Sequence, residues 1–399
     1  MILALFVWML LTQLPFRGQG QTSAIKFSFC VDSIEFERAA LVDFPLLVSA
    51  TSLETFYRHI SQSNYQPIIN SLLRYKEVHK TDDWLYYQLV RKAAQQISPK
   101  NENYYRYTLY KWFILAKSGY DVLLSTAGNL LLFYVQSDEN VYNVPVRIKN
   151  GKQYVCLNYH DYKNIDLENV NLSEVPLFVP EASKGFSYKV TQIPDISSSE
   201  YVEKNIRFRF YEMNYNFKVR LNPQVPVLFR NYPVVDYDSY FNIPLSKETY
   251  ASLIPVLRKN VRGLNEKNGI DYLMRFVRTA FEFQPDLPAF GGEKRLTAEQ
   301  TLFYDQSDCE DRVGLFFYLV KEIYDLPVIV LSYPDHLTAA VQFKKPFGHT
   351  ILHNGRLYSV CEPTPQQQDL AIGGILPGLA KIPFQVVYAY TPAAKKGDR

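Results

Sequence analysis

The sequence predicts an α+β protein of more than one module, and three observations carry that prediction. Helical periodicity occupies two separate stretches, strand-like alternation fills the region between them, and each helical stretch runs directly into apolar strands. A chain of 399 residues holds two or three domains of ordinary size. Its charges nearly cancel, 43 Lys plus Arg against 40 Asp plus Glu, and no run of like charge reads as an arm for nucleic acid or for an anionic membrane.

Residues 1–20, MILALFVWMLLTQLPFRGQG, form an apolar run too short to span a bilayer comfortably, closed by the small-x-small triplet Gly18-Gln19-Gly20. They read as a cleaved export signal that leaves a soluble protein starting at Gln21 in the periplasm or outside the cell. Because the first basic residue, Arg17, follows the apolar run instead of preceding it, an uncleaved anchor is the alternative. The four cysteines, Cys30, Cys156, Cys309 and Cys361, are too few for a disulfide scaffold in a chain this long, although a Cys309 to Cys361 bridge would abolish any thiol chemistry.

An N-terminal α+β module is expected over 21–170. It opens with alternating segments in IKFSFCVDSIEFERAALVDFPLLVSA. From Ser52 to about Gln96 helical spacing takes over, with Ile69, Leu72 and Leu73, then Leu85, Leu89 and Val90. The apolar helix in YRYTLYKWFILAKSGYDVLL stops at Gly119 and leads into a strand. Residues 171–246 carry strand patterns such as NIRFRFYEMNYNFKVRLNP and are expected to form a β-rich middle module. Helical spacing returns from Lys247 to Phe283 and opens a third module, 247–399.

The two helical regions echo one another. WFILAKSGYDVLL, then LLLFYV, then NGKQYVCLN follows the same order as FFYLVKEIYDLPVIVL, TAAVQF and NGRLYSVCE, with Tyr154 aligned to Tyr358. Registered on these landmarks, Asn103 or Tyr104 stands where Cys309 does, Asn129 or Leu130 opposite His336, and Asn158 opposite Glu362. Helix-strand-strand is a common succession, so coincidence is the competing explanation. On the repeat reading, the first copy lacks the chemistry of the second.

That chemistry is written in YDQSDCEDRVGLFFYLVKE. Ser307 and Glu310 have capping-box spacing, which puts Cys309 in the first helical turn, where unpaired backbone N–H groups favour a thiolate. Val313, Phe316, Phe317, Val320, Ile323 and Tyr324 form the buried face, with Cys309 on the same side. Three nearby acids, Asp308, Glu310 and Asp311, oppose ionisation of the thiol, so an imidazolium partner is needed. His336 opens the strand HLTAAVQF after the turn Pro334-Asp335, and Glu362 ends the strand RLYSVCE. An antiparallel pair in which Phe343 faces Arg356 brings His336 and Glu362 together, unless HTILH inserts as a strand between them. Taken singly, a buried cysteine is usually inert and a histidine at a strand end is usually a satisfied polar residue; it is the ordered set of three that points to nucleophile, base and orienting acid. Gln300 and Gln306 are further residues near the helix start with side chains able to assist an oxyanion.

SDCEDR, the strand opened by His336 after YPDH, and YSVCEPT together resemble the transglutaminase-like superfamily of papain-fold cysteine enzymes. The resemblance covers roughly the C-terminal third, to Pro377, and departs at Glu362, where the family usually carries Asp. It implies a papain-like catalytic module and a thioester intermediate, with hydrolysis, transamidation or deamidation at a protein or peptide carbonyl. It implies neither a metal nor an organic cofactor. The competing class is a catalytically inactive scaffold that binds peptides or, through some of its 31 Tyr and 26 Phe, glycans.

Overall fold

The computed structural model describes residues 24–39, 41–162, 170–285 and 294–393. The expected export signal lies outside the described residues. Among the described residues, no helix is long and apolar enough to cross a membrane.

The architecture is α+β. A hairpin, β1 (Ala24–Phe29) and β2 (Asp32–Glu37), turns Ile25, Phe27, Phe29, Ile34 and Phe36 inward by strict alternation. The amphipathic stretch that follows divides into α1 (Ala50–Gln62), α2 (Gln66–Val78) and α3 (Asp83–Ile97). Next comes α4 (Tyr104–Lys117), whose N-terminus is capped by the Asn103 side chain and whose middle is buried on all sides. It feeds β3 (Val122–Ala127), β4 (Leu130–Gln136), β5 (Val141–Tyr142), β6 (Val146–Lys149), β7 (Lys152–Cys156) and β8 (Ser173–Val175). The first sheet has the order β6-β7-β4-β3-β8.

The β-rich middle region does not close on itself as a separate layer. Its first strand, β8, completes the first sheet, while β9 (Val202–Phe210) and β10 (Met213–Leu221) form a hairpin. After α5 (Gln224–Leu228), β11 (Val234–Val235) returns to pair with β5. Then follow α6 (Tyr237–Phe241), α7 (Lys247–Val261) and α8 (Glu266–Thr279). The hairpin packs on α7 and α8, with Phe208 edge-on to Tyr272 and Phe276. Its apolar alternation therefore serves the neighbouring helices, which is why the sequence pattern reads as an independent β module and the structure does not make one.

The last part runs through β12 (Glu282–Phe283), α9 (Ala298–Phe303), β13 (Gln306–Ser307) and α10 (Cys309–Tyr324). A second sheet follows, from β14 (Val328–Tyr333), β15 (His336–Val341), β16 (Thr350–His353), β17 (Arg356–Cys361) and β18 (Gln385–Tyr390), in the order β16-β17-β15-β14-β18.

The two sheets are the same construction twice. Each follows a buried helix, each is antiparallel throughout, and in each the third and fourth strands in chain order form a hairpin along one edge. Both edge hairpins close on Asn-Gly with both residues left-handed: φ is 51° and 75° at Asn150 and Gly151, and 48° and 74° at Asn354 and Gly355. The ladders align Ala127↔Leu130 with Tyr333↔His336, and Tyr134↔Cys156 with Ala340↔Val360. The ladders thereby match Leu130 to His336, Tyr154 to Tyr358 and Asn158 to Glu362, and Tyr104 and Cys309 each open their helix, which selects one member of each pair that the sequence echo left open. Each sheet packs one face on the main core and carries a smaller apolar cluster on the other, around Tyr134 and Tyr154 in the first and Ile329, Leu331 and Tyr358 in the second.

Candidate active site

Cys309 is the first helical residue of α10. The cap is Asp308, not Ser307: Asp308 Oδ1 accepts the Asp311 N–H at 3.1 Å, and the Asp311 carboxylate returns to the Asp308 N–H at 3.4 Å. Ser307 and Asp308 are equally good cap residues by type. What decides is that Ser307 is tied into the short parallel pairing of β12 with β13, leaving Asp308 as the first residue free to turn.

The helix start is held by Arg312, whose side chain is 0% exposed. Its guanidinium donates to the carbonyls of Val277, Arg278 and Phe281 at 2.8–3.0 Å and reaches that of Ser307 at 3.4 Å. One residue thus satisfies the orphan carbonyls at the C-terminus of α8 and locks them to the chain entering α10. Arg278 works from the same helix end in the other direction, donating to the Glu362 carbonyl at 3.1 Å and pairing with Asp369 at 2.7 Å. Thiol and carboxylate are therefore referenced to one helix terminus.

His336 and Glu362 meet. The imidazole Nε2 and the Glu362 Oε2 are 2.7 Å apart, and Glu362 is 3% exposed. Its other oxygen, Oε1, accepts the Thr364 N–H at 2.9 Å, which fixes the carboxylate plane. In the tautomer whose Nε2–H donates to the carboxylate, the lone pair is on Nδ1. The pairing that achieves this is Ala339↔Cys361, one residue away from the Phe343 with Arg356 register expected from sequence. HTILH does not intervene: β16 pairs on the outer side of β17, so β15 and β17 are direct neighbours.

Cys309, His336, Tyr333 and Leu337 line one cleft of about 290 Å³ with Asp308, Glu310 and the Pro334-Asp335 turn. Neither Gln300 nor Gln306 lines it. Gln300 is fully buried and closes the capping box of α9 with Thr297. Burial pushes the Cys309 thiol up to about 12, and Asp308 and Glu310 push in the same direction, while a hydrogen bond from the Leu337 backbone N–H opposes them. Glu310 is partly neutralised: Arg295 donates to it at 2.6 Å and stacks on Tyr237, whose hydroxyl reaches the other Glu310 oxygen at 3.2 Å. All four cysteines are free, and Cys361 is buried with its thiol directed at the Ser359 carbonyl.

Arg278, Arg312, Tyr237, Arg295 and the Leu337 N–H were not legible as site residues in the sequence. Arg275 and Arg278 left one signal, charges at helical spacing inside an otherwise buried helix face. The others act across long sequence separations on backbone or charged partners, where no local pattern exists. No protein-family model matches this chain, and no curated protein sequence gives a significant match.

Proposed function

We propose that the cleft is a thiol acyl-transfer centre of transglutaminase-like type, acting on protein or peptide carbonyls in an exported protein. The observation that carries the proposal is the 2.7 Å imidazole–carboxylate contact, whose imidazole lines the same cleft as a helix-first cysteine. Glu362 fixes the imidazole with Nδ1 as its base. Because burial and acids hold the sulfur protonated at rest, His336 removes the thiol proton as the sulfur attacks the carbonyl carbon. The tetrahedral adduct collapses to a thioester as the imidazolium protonates the departing amine. Water or a second amine then releases the acyl group, with His336 taking the proton of the incoming nucleophile. Glu362 replaces the shorter Asp expected from the resemblance, and the Thr364 N–H and the Arg278 grip on its carbonyl accommodate the longer side chain.

One observation favours a second reading, a non-catalytic scaffold: a thiol pushed up to about 12 is a poor nucleophile without help. Labelling with iodoacetamide at pH 6–7, read by mass spectrometry at Cys309, separates the two. The acyl-transfer reading expects labelling that drops by about a hundredfold or more in His336→Ala, the range for a general base. Slow labelling that is identical in wild type and His336→Ala would establish the scaffold.

A further inference from the structure

A cleft of different character lies between α3 and α5. Its volume is about 690 Å³, with Arg91, Lys92 and Arg230 along its walls. No Asp or Glu lines it among the described residues. Lys100, also on the wall, is neutralised by Asp161 at 2.5 Å. Arg91 makes no ion pair among the described residues: its Nη1 donates to the Gln88 Oε1 at 2.9 Å, its guanidinium lies 5.9 Å from the Tyr87 ring centre and hydrogen-bonds the Tyr107 side chain, and Asp161 attracts it from beyond ion-pair distance. Lys92 and Arg230 are exposed, and no carboxylate lies within ion-pair distance of either among the described residues.

A second observation points the same way. Gln88 is 7% exposed and lines this cleft, and its amide Nε2 is a buried donor with no hydrogen-bond partner. A buried donor without an acceptor is costly, and here it stands beside a guanidinium with no carboxylate in ion-pair contact among the described residues. An oxygen anion in the cleft serves both groups. The fork of Arg91 next to an amide N–H suits the two oxygens of a carboxylate.

We infer that this cleft binds acidic peptide segments, with Arg91 and Gln88 holding a carboxylate and Lys92 and Arg230 drawing in the flanking negative charge. The rings that line it favour a peptide over an anionic sugar. Phe29 and Tyr107 are almost fully buried, so they offer no open aromatic face on which a sugar ring can stack. Gln96 is exposed, and the amide groups of Gln95 and Gln224 that are not taken by the Lys100 N–H and the Glu200 carboxylate supply further donors and acceptors of the kind a peptide backbone uses. This site goes beyond the thiol centre and does not depend on it.

The test is fluorescence anisotropy of the full chain with an end-blocked, dye-labelled hexaglutamate at low ionic strength. Binding is expected to weaken by about tenfold when Lys92→Glu and Arg230→Glu are combined, exposed changes that spare the fold, and to weaken with added salt. Arg91→Lys, which keeps the charge and removes the fork, is expected to weaken it as well. Hexaglutamate that binds wild type and the double variant equally, or binds neither, overturns the site. A sulfated hexasaccharide that binds more tightly than hexaglutamate, and loses that binding in the double variant, overturns the peptide assignment.

Discussion

The same corner of the same construction is solved twice in this molecule, once as a plug and once as a cleft. In the first unit Tyr104, Leu130 and Asn158 occupy the places of Cys309, His336 and Glu362. Asn158 is fully buried and uses its whole amide on structure: Oδ1 accepts the Phe133 N–H at 2.9 Å, and Nδ2 donates to the Leu131 carbonyl and to the Tyr104 hydroxyl, both at 2.9 Å. The Leu131 N–H is taken by the Tyr162 hydroxyl at 3.1 Å. In the second unit the corresponding N–H, that of Leu337, is turned toward a thiol, and the corresponding acid spends one oxygen on an imidazole. A scaffold that closes its polar groups on itself has no reactive group to present. Leaving some of them to titratable side chains opens the cleft.

The largest effect expected from this difference is structural. Arg312→Ala should lower unfolding free energy by about 3–5 kcal/mol, because buried carbonyls at the end of α8 and before α10 lose their donor together. Urea denaturation measures it, and a loss below about 1 kcal/mol would break the claim that this side chain holds the thiol helix. The paired change Asn158→Ala and Glu362→Gln sharpens the contrast itself. Asn158→Ala should cost about 2–4 kcal/mol in stability through its three lost bonds. Glu362→Gln keeps an oxygen for the Thr364 N–H and should cost under about 1 kcal/mol in stability while slowing Cys309 labelling by about tenfold. Equal stability losses for the two variants would erase the distinction between plug and site.

The remaining expectation is a dependence on pH. The folded thiol of Cys309 lies near 12 against an ordinary value of 9.0, so between those values the unfolded chain has released a proton that the folded chain keeps. Stability falls as pH rises through that window. Cys309→Ser should make the decline shallower between pH 9 and 11 while leaving the plateau near neutrality in place, as read by denaturation at a series of pH values. A slope unchanged by the substitution would mean that the thiol is not held protonated by its surroundings.

The three candidate site residues were legible in sequence because each sits at a local boundary with its own signature: a helix start, a turn followed by a strand, and a strand end before proline. The repeat was legible for the same reason, its Asn-Gly turns and apolar runs recurring in order. Less was legible where two local solutions are equally good. Ser307 and Asp308 both suit a cap, and the pairing of β12 with β13 chose between them. HTILH could lie inside or outside the final hairpin, and the two-residue Asn-Gly turn set it outside, since such a turn pairs β16 with β17 directly. The strands of the middle region could have formed their own layer, but their apolar faces meet α7, α8 and the first sheet instead.

The sequence by itself determined the periodicities, the turn chemistry and the order of cysteine, histidine and glutamate, because these depend on residues near one another in the chain. Only the tertiary structure decided that Arg312 and Arg278 tie the thiol and the carboxylate to one helix end, that Arg295 and Tyr237 temper Glu310, and that Asn158 closes with structural hydrogen bonds the position where Glu362 meets an imidazole. Those outcomes rest on contacts between groups tens of residues apart. Their energies come from burial and from hydrogen bonds closed at a distance, and no local pattern encodes either.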